Sequence, residues 1–117
     1  MTGYLTTHVL DTARGCPAEK LKVEFLRLDG TSRTLVRTLQ TNADGRTDAP
    51  VMPADEFAFG TYELVFHAGA YFREHGAASE GIGFLDTIPV RFGISEHIHY
   101  HVPLLLAPYS YATYRGS

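Results

Sequence analysis

The chain has 117 residues, of which 44% are hydrophobic and 20% charged, and its formal net charge is −3 at pH 7. This length predicts one domain, residues 1–117, that buries about two-thirds of the surface of the unfolded chain. The composition argues against a nucleic-acid binder, because there is no basic stripe, and against a membrane span, because no apolar run approaches roughly 18–20 residues. The lone Cys16 allows no internal disulfide and the N-terminus lacks a secretory pattern, so we expect a cytoplasmic protein.

The N-terminal half predicts short strands separated by turns. Residues 4–11 alternate, with Thr6, His8 and Leu10 on the face opposite Leu5, Thr7 and Val9, and residues 12–17 predict a loop. Residues 20–28 and 33–40 predict a hairpin around Asp29-Gly30. A tight turn at residues 42–45 then places Arg46 at the start of the next extended segment.

The C-terminal half continues this pattern with one interruption. Residues 61–67 and 88–94 predict strands, and residues 68–75 predict the one short helix, which we expect to end at Gly76. Residues 76–86 predict a loop, and residues 97–117 predict two strands joined by a turn at Pro108. Seven or eight strands and one helix predict an all-β fold, a sandwich of two packed sheets.

The segment that begins at His97 sorts into two faces with a period of two. Ile98, Tyr100, Val102 and Leu104 predict a core face, and the opposite face carries His97, His99, His101 and Pro103. Such an outward row of imidazoles lies on a flat sheet surface, whereas small-molecule sites are concave. We therefore expect a symmetric homo-oligomer in which a second copy supplies the other wall.

Three interpretations of the histidine row remain open from the residues alone. Alternate imidazoles can bind zinc, with His8 as a fourth ligand, or they can form an exposed polar face, which is favoured for His97 and His99. One of them can instead serve as an acid or base for hydrolysis by water. Arg46 is either a solvated turn residue or a donor fork for an anionic or urea-like substrate.

Three segments together resemble the 5-hydroxyisourate hydrolases, the transthyretin-related enzymes of urate breakdown. They are Leu5–Asp11 with residues 15–18 (GCPA), residues 41–46 (TNADGR), and residues 99–106 (HYHVPLLL) with the terminal 114–117 (YRGS). The terminal Tyr-Arg-Gly-Ser separates these enzymes from the transthyretin carriers of the same fold.

The resemblance implies a transthyretin-like β-sandwich of two four-stranded sheets that assembles as a homotetramer, a dimer of dimers. Its sites would lie at the dimer–dimer interface and hydrolyse the N1–C6 amide of 5-hydroxyisourate, in purine degradation, to 2-oxo-4-hydroxy-4-carboxy-5-ureidoimidazoline, without metal or cofactor. By motif position, His8, Arg46 and His101 would be catalytic, and Tyr114 and Ser117 would help to bind substrate. His99 receives no role.

Two other classes of function compete with this cyclic amide hydrolase. One is a transthyretin-type carrier of a hydrophobic hormone or other small ligand, and the other is a structural zinc module that uses the histidine row. The resemblance also implies that a neutral imidazole is the base that activates water. This imidazole would be His101, with His8 in the same hydrogen-bond network. Arg46 would orient the ring of the substrate.

Overall fold

A computed structural model describes residues 3–75 and 81–116 of the chain. Within them the chain forms eight β-strands, one α-helix and a short 3-10 turn at Ala54–Glu56. The elements, in chain order, are β1 (Tyr4–Asp11), β2 (Cys16–Pro17), β3 (Lys22–Asp29), β4 (Ser32–Gln40), β5 (Gly60–His67), α1 (Ala68–Glu74), β6 (Thr87–Ile94), β7 (His99–Ala107) and β8 (Ser110–Thr113).

The strands form two four-stranded sheets, in the orders β2-β1-β7-β8 and β4-β3-β5-β6. The first and seventh strands pair in parallel at the centre of the first sheet, while the other strand pairs are antiparallel. The sheets enclose one hydrophobic core, which contains Leu5, Phe25, Leu64 and Leu104 among its fully buried side chains. The predicted β-sandwich of two four-stranded sheets with one short helix is confirmed.

Period-two patterns account for which faces are buried. Every second residue of β1 is buried, and the residues between them are half-exposed. Along β7 the core face consists of Tyr100, Val102, Leu104 and Leu106. The imidazoles of His99 and His101 consequently lie on the outer face of the first sheet.

Three local predictions need correction, and one irregularity in β3 was not predicted. Cys16 and Pro17, expected in a loop, pair with Asp11 and Leu10 as a two-residue edge strand. The strand predicted from His97 begins at His99, because residues 96–98 form a bend. Pro103, expected on the outer face, is buried. A β-bulge between Phe25 and Leu26 interrupts the alternation of β3, and both of these residues are buried.

On the outer face of β5, Glu63 and Val65 are also buried, although the alternation placed them opposite the core. The helix prediction is confirmed for Ala68–Glu74. The predicted stop at Gly76 lies outside the described residues, as does part of the predicted loop 76–86. Within the described ranges, no helix has the length and apolar character needed to cross a bilayer.

Candidate active site

The parallel pairing of β1 with β7 brings the two ends of the chain together. The register aligns Thr6 with His101 and His8 with Pro103. Because β1 and β7 present their half-buried residues on the same outer face, the side chains of Thr6, His8 and His101 share one surface.

Arg46 reaches this surface through the predicted turn at residues 42–45. The Asn42 side-chain oxygen accepts hydrogen bonds from the backbone N–H of Asp44 at 2.9 Å and of Arg46 at 3.2 Å. Gly45 adopts φ +75°, and a Cβ there would lie 2.3 Å from the backbone oxygen of Val9. Only glycine therefore allows the turn to approach β1 so closely.

This close approach places Arg46 beside His8. The two residues form an isolated antiparallel bridge, anchored by the Val9 N–H, which donates to the Gly45 carbonyl at 2.8 Å. Among the residues that the structure describes, no carboxylate lies within ion-pair distance of the exposed Arg46 guanidinium. Within residues 3–75 and 81–116, the positive charge of Arg46 therefore has no carboxylate partner.

The protonation of His8 follows from its contacts. Its Nε2 lies 2.9 Å from the Asp44 carbonyl oxygen, which can only accept, so Nε2 carries the proton and Nδ1 of the neutral ring is the accepting nitrogen. Burial and the nearby charge of Arg46 lower the pKa of His8 from its ordinary value. The neutral imidazole is therefore favoured near pH 7.

His101 lies between the end of the chain and the other imidazoles. The Gly116 N–H donates to the His101 backbone oxygen at 2.8 Å, and a Cβ on Gly116 would lie 2.6 Å from His101 Cδ2. Burial lowers the pKa of His101, and so do the neighbouring charges of His99, Arg46 and His8. His101 is thus a second neutral imidazole, with the terminal segment packed against its ring.

The histidine row does not exist as a set of three. His97 is exposed and precedes β7, with its ring centroid 4.6 Å from that of Phe59. The interpretation of His99 as part of an exposed polar face is wrong. It is half-buried, stacks on Tyr4 with a centroid separation of 4.0 Å, and its Nε2 lies 2.6 Å from the Thr6 hydroxyl.

An open cleft of about 250 Å³ lies beside His99, and neither His8 nor His101 is among its lining residues. Its lining includes Tyr4, Thr6, Arg46 and His99 together with the chain at residues 47–50. A polar lining that includes the cation of Arg46 and the carboxylate of Asp48 suits a small, planar, hydrogen-bonding ligand.

The remaining predicted site residues are not gathered here. Tyr114 is 58% exposed and lines a separate groove with Tyr100 and Val102, between the edges of the two sheets. Ser117 lies outside the described residues. Within one chain, the structure brings together His8, Arg46 and His101, while the substrate-binding role of Tyr114 and Ser117 stays a prediction.

The zinc interpretation loses its geometric basis. It requires three alternate imidazoles on one strand, and His97 lies elsewhere. Within residues 3–75 and 81–116, no group of three histidine, cysteine, aspartate or glutamate side chains is arranged to hold a metal ion.

Sequence reasoning did not single out Thr6, His99 or Gly116 as contributors to this surface. The signal for Thr6 was present, because it alternates onto the same face as His8. The contacts of His99 with Tyr4 and Thr6 depend on strand pairing across more than 90 residues, with a separation of 93 for the Thr6 contact. No local pattern reports such a pairing.

Comparison with known proteins agrees with this architecture. The sequence profile of the HIUase/Transthyretin family matches residues 5–116. The 5-hydroxyisourate hydrolase 2 of Rhizobium meliloti is 59% identical over 117 residues, which cover 99% of this chain and 98% of that protein.

Solved structures give the same result. The 5-hydroxyisourate hydrolase of Klebsiella pneumoniae superimposes with a TM-score of 0.81 at 36% identity, covering 98% of this chain and 99% of that one. Sea bream transthyretin, solved with thyroxine, superimposes with a TM-score of 0.86 at 27% identity, covering 96% and 93% of the two chains. Because the profile spans nearly the entire sequence and the relatives match it end to end, this chain belongs to the HIUase/Transthyretin family.

Proposed function

We propose that this protein hydrolyses 5-hydroxyisourate to 2-oxo-4-hydroxy-4-carboxy-5-ureidoimidazoline, a step of urate and purine degradation. The 59% identity to a protein named 5-hydroxyisourate hydrolase supports the substrate. The observation that carries the chemistry is that His8, Arg46 and His101 share one outer face, where two neutral imidazoles lie near a guanidinium with no carboxylate within ion-pair distance in the described chain.

The reaction needs a base for water and a donor for the developing charge. In our proposal the oxygen of water bonds to C6 while His101 takes a proton from that water, and the C6 carbonyl becomes an oxyanion. Arg46 donates hydrogen bonds to the substrate and offsets this charge, a contribution that reaches several kcal/mol in such sites. The C6–N1 bond then breaks and N1 takes the proton from the imidazolium, so the ring opens to an N–H and a carboxylic acid, which releases its remaining proton to solvent as it ionises.

His8 fits the same network in a complementary way. Its Nε2–H is held by the Asp44 carbonyl at 2.9 Å, which fixes the orientation of the ring. The free Nδ1 accepts a hydrogen bond from the substrate or from the attacking water. Both imidazoles would have to be neutral in the active enzyme, which agrees with the lowered pKa of each.

The open cleft suggests where the rest of the site comes from. Its lining within one chain is an outer sheet face with an adjacent loop, which leaves one side open. We propose that a homotetramer, a dimer of dimers, closes it at the dimer–dimer interface. Tyr114, Ser117 and the terminal carboxylate would then complete the walls, and the protein would act in the cytoplasm without a cofactor.

The carrier function is the competing proposal, because the sea bream transthyretin that shares this fold was solved with thyroxine. The polar surface around Arg46 and the two imidazoles favours the hydrolase, since a hydrophobic hormone gains little from unpaired polar groups.

The decisive experiment follows the absorbance of freshly generated 5-hydroxyisourate with and without the protein. Spontaneous decay makes the protein-free control essential. A hydrolase accelerates the decay in proportion to enzyme concentration and shows no binding of thyroxine by calorimetry. Unaccelerated decay together with thyroxine binding would instead support the carrier.

A further inference from the structure

One hydroxyl group connects two imidazoles on the outer face of the first sheet. The Oγ1 of Thr6 lies 2.6 Å from Nε2 of His99 and 2.8 Å from Nδ1 of His101. Both distances are those of good hydrogen bonds. The parallel register of β1 and β7 creates this arrangement, because it sets Thr6 beside His101 and Tyr4 beside His99.

Counting protons limits how the three groups can be arranged. A threonine hydroxyl donates one hydrogen bond and accepts others. Within residues 3–75 and 81–116, Thr6 Oγ1 has no further hydrogen-bond partner, so the two imidazole nitrogens are the protein acceptors open to its proton. The ring that receives this proton has an unprotonated nitrogen there, and the other ring donates its N–H to the oxygen.

Two arrangements of neutral rings satisfy this count. If Thr6 donates to His101 Nδ1, then the proton of His101 is on Nε2 and the ring has no free nitrogen left to accept a proton from water. If Thr6 donates to His99 Nε2, then His101 donates its Nδ1–H to Thr6, and Nε2 keeps the lone pair. Only the second arrangement leaves His101 able to act as a base.

His99 is held in place for this role. It stacks on Tyr4 with an interplanar angle of 5° and a centroid distance of 4.0 Å, and it is half-buried. Burial lowers the pKa of His99, which keeps the ring neutral and its Nε2 able to accept. A ring fixed by stacking loses little entropy when it accepts the hydrogen bond.

We propose that Thr6 and His99 are positioning residues that set the tautomer of His101, with Thr6 donating to His99 Nε2 and accepting from His101 Nδ1–H. This inference rests on the proposed hydrolysis for its catalytic consequence. Its structural content, the position of one proton on His101, can be measured without any substrate.

The first experiment is nuclear magnetic resonance of the full-length protein. Long-range ¹H–¹⁵N spectra distinguish an imidazole protonated at Nδ1 from one protonated at Nε2. In the unmodified protein His101 should show the Nδ1–H tautomer. In His99→Phe, which keeps a stacking ring but removes the acceptor, Thr6 turns its proton toward His101, and the signal should change to the Nε2–H tautomer.

The second experiment measures steady-state kinetics on 5-hydroxyisourate. Thr6→Val and His99→Phe should each lower kcat by about 10- to 100-fold while KM changes much less, because Arg46 and His8 still contact the substrate and the base is lost. Thr6→Ser keeps the hydroxyl, and His99→Gln offers an amide oxygen close to the position of Nε2. Both conservative variants should retain most of kcat.

Thr34→Val is the matched control, because Thr34 is exposed on β4 in the other sheet. If Thr6→Val fails to fold, the His99 pair and Thr6→Ser still test the inference. An Nε2–H tautomer of His101 in the unmodified protein, or an unchanged kcat in His99→Phe, would overturn it.

The outcomes also separate the inference from the proposed function. If the unmodified protein does not accelerate the decay of 5-hydroxyisourate, the proposed function fails, and the tautomer measurement still decides the hydrogen-bond arrangement. If turnover is normal and the tautomer is wrong, only the inference fails.

Discussion

The outer faces of the two sheets both carry charged side chains, and they differ in how those charges are compensated. On the sheet β4-β3-β5-β6, Glu63 is only 2% exposed, yet it accepts hydrogen bonds from Arg33 and from Arg91 at 3.1 Å. Nearby, His67 Nε2 lies 2.5 Å from a Glu24 carboxylate oxygen. Each buried acidic group on this face has a cationic or hydrogen-bonding partner within the chain.

The sheet β2-β1-β7-β8 carries the opposite arrangement. His8, Arg46 and His101 lie together, and the described residues supply no carboxylate to pair with Arg46. An Arg46 guanidinium beside two basic imidazoles, with no carboxylate to pair with it, gains no local electrostatic stabilisation. The comparison indicates that the charges on the sheet β4-β3-β5-β6, which we call the compensated face, stabilise the fold. The face of the sheet β2-β1-β7-β8 that carries Arg46 is suited instead to binding an anionic or polar ligand.

The largest expected effect is on turnover after His101→Asn. Removal of the base should lower kcat by about 10²- to 10⁴-fold and leave the free energy of unfolding within about 1 kcal/mol, because the ring lies outside the core. Decay of 5-hydroxyisourate and denaturant unfolding measure the two quantities. The matched control is His97→Asn, since His97 is exposed and lies before β7. Equal losses in both variants would remove the distinction between the two histidines.

Arg46→Gln should have the next largest effect. Loss of the guanidinium removes donors to the oxyanion, so kcat/KM should fall by about 10²- to 10³-fold. Arg73→Gln, at an exposed position on α1, is the matched control and should leave kcat/KM unchanged. A variant at Arg46 that turns over substrate normally would show that this face does not need its cation.

Acidification should reduce activity through the two imidazoles. Burial lowers the pKa of His8 and of His101 below their ordinary 6.5, so both are neutral at pH 7 and kcat/KM should be constant above that value. Below it, protonation inactivates the enzyme, and kcat/KM should fall about tenfold per pH unit below the higher of the two folded-state pKa values and up to about a hundredfold per unit below both. A kcat/KM profile that is flat from about pH 5 to 8 would contradict a neutral-histidine mechanism.

The smallest effect on turnover is expected on the compensated face. Glu63→Gln should leave kcat unchanged and lower the free energy of unfolding by about 1–3 kcal/mol, since three hydrogen bonds from two arginines are weakened or lost. Denaturant unfolding at equal protein concentration measures this, and Glu74→Gln at the end of α1 is the exposed control. A loss of turnover with unchanged stability would reverse the roles assigned to the two faces.

The pH dependence of that stability has a defined sign. Burial alone would raise the pKa of Glu63, but the hydrogen bonds and charges of Arg33 and Arg91 outweigh it, and the net shift is downward from 4.5. The contribution of Glu63 is therefore present above pH 4.5 and lost as the pH falls through the lowered pKa. In Glu63→Gln this part of the acid destabilisation should disappear.

Much of the fold was predictable because its signals are local. Alternation of apolar residues identified β1, β3 and β6, the Asp29-Gly30 pair identified the hairpin that leads from β3 into β4, and residues 42–45 identified the turn before Arg46. The errors arose where a neighbour in space overrides the local pattern. Glu63 lies on the face opposite the core and is buried all the same, because Arg91 reaches it from the neighbouring strand β6 and Arg33 reaches it from β4, across β3.

The sequence by itself determined which side chains share a strand face, since the two-residue period of an extended chain follows from its backbone geometry. Only the tertiary structure decided that β1 lies parallel to β7, and hence that His8, His101 and Thr6 meet, because this pairing joins segments more than 90 residues apart, with 95 between Thr6 and His101. It likewise turned His99 from an apparent surface residue into the partner of Thr6. Strand order depends on the packing of the entire core, and no stretch of a few residues encodes it.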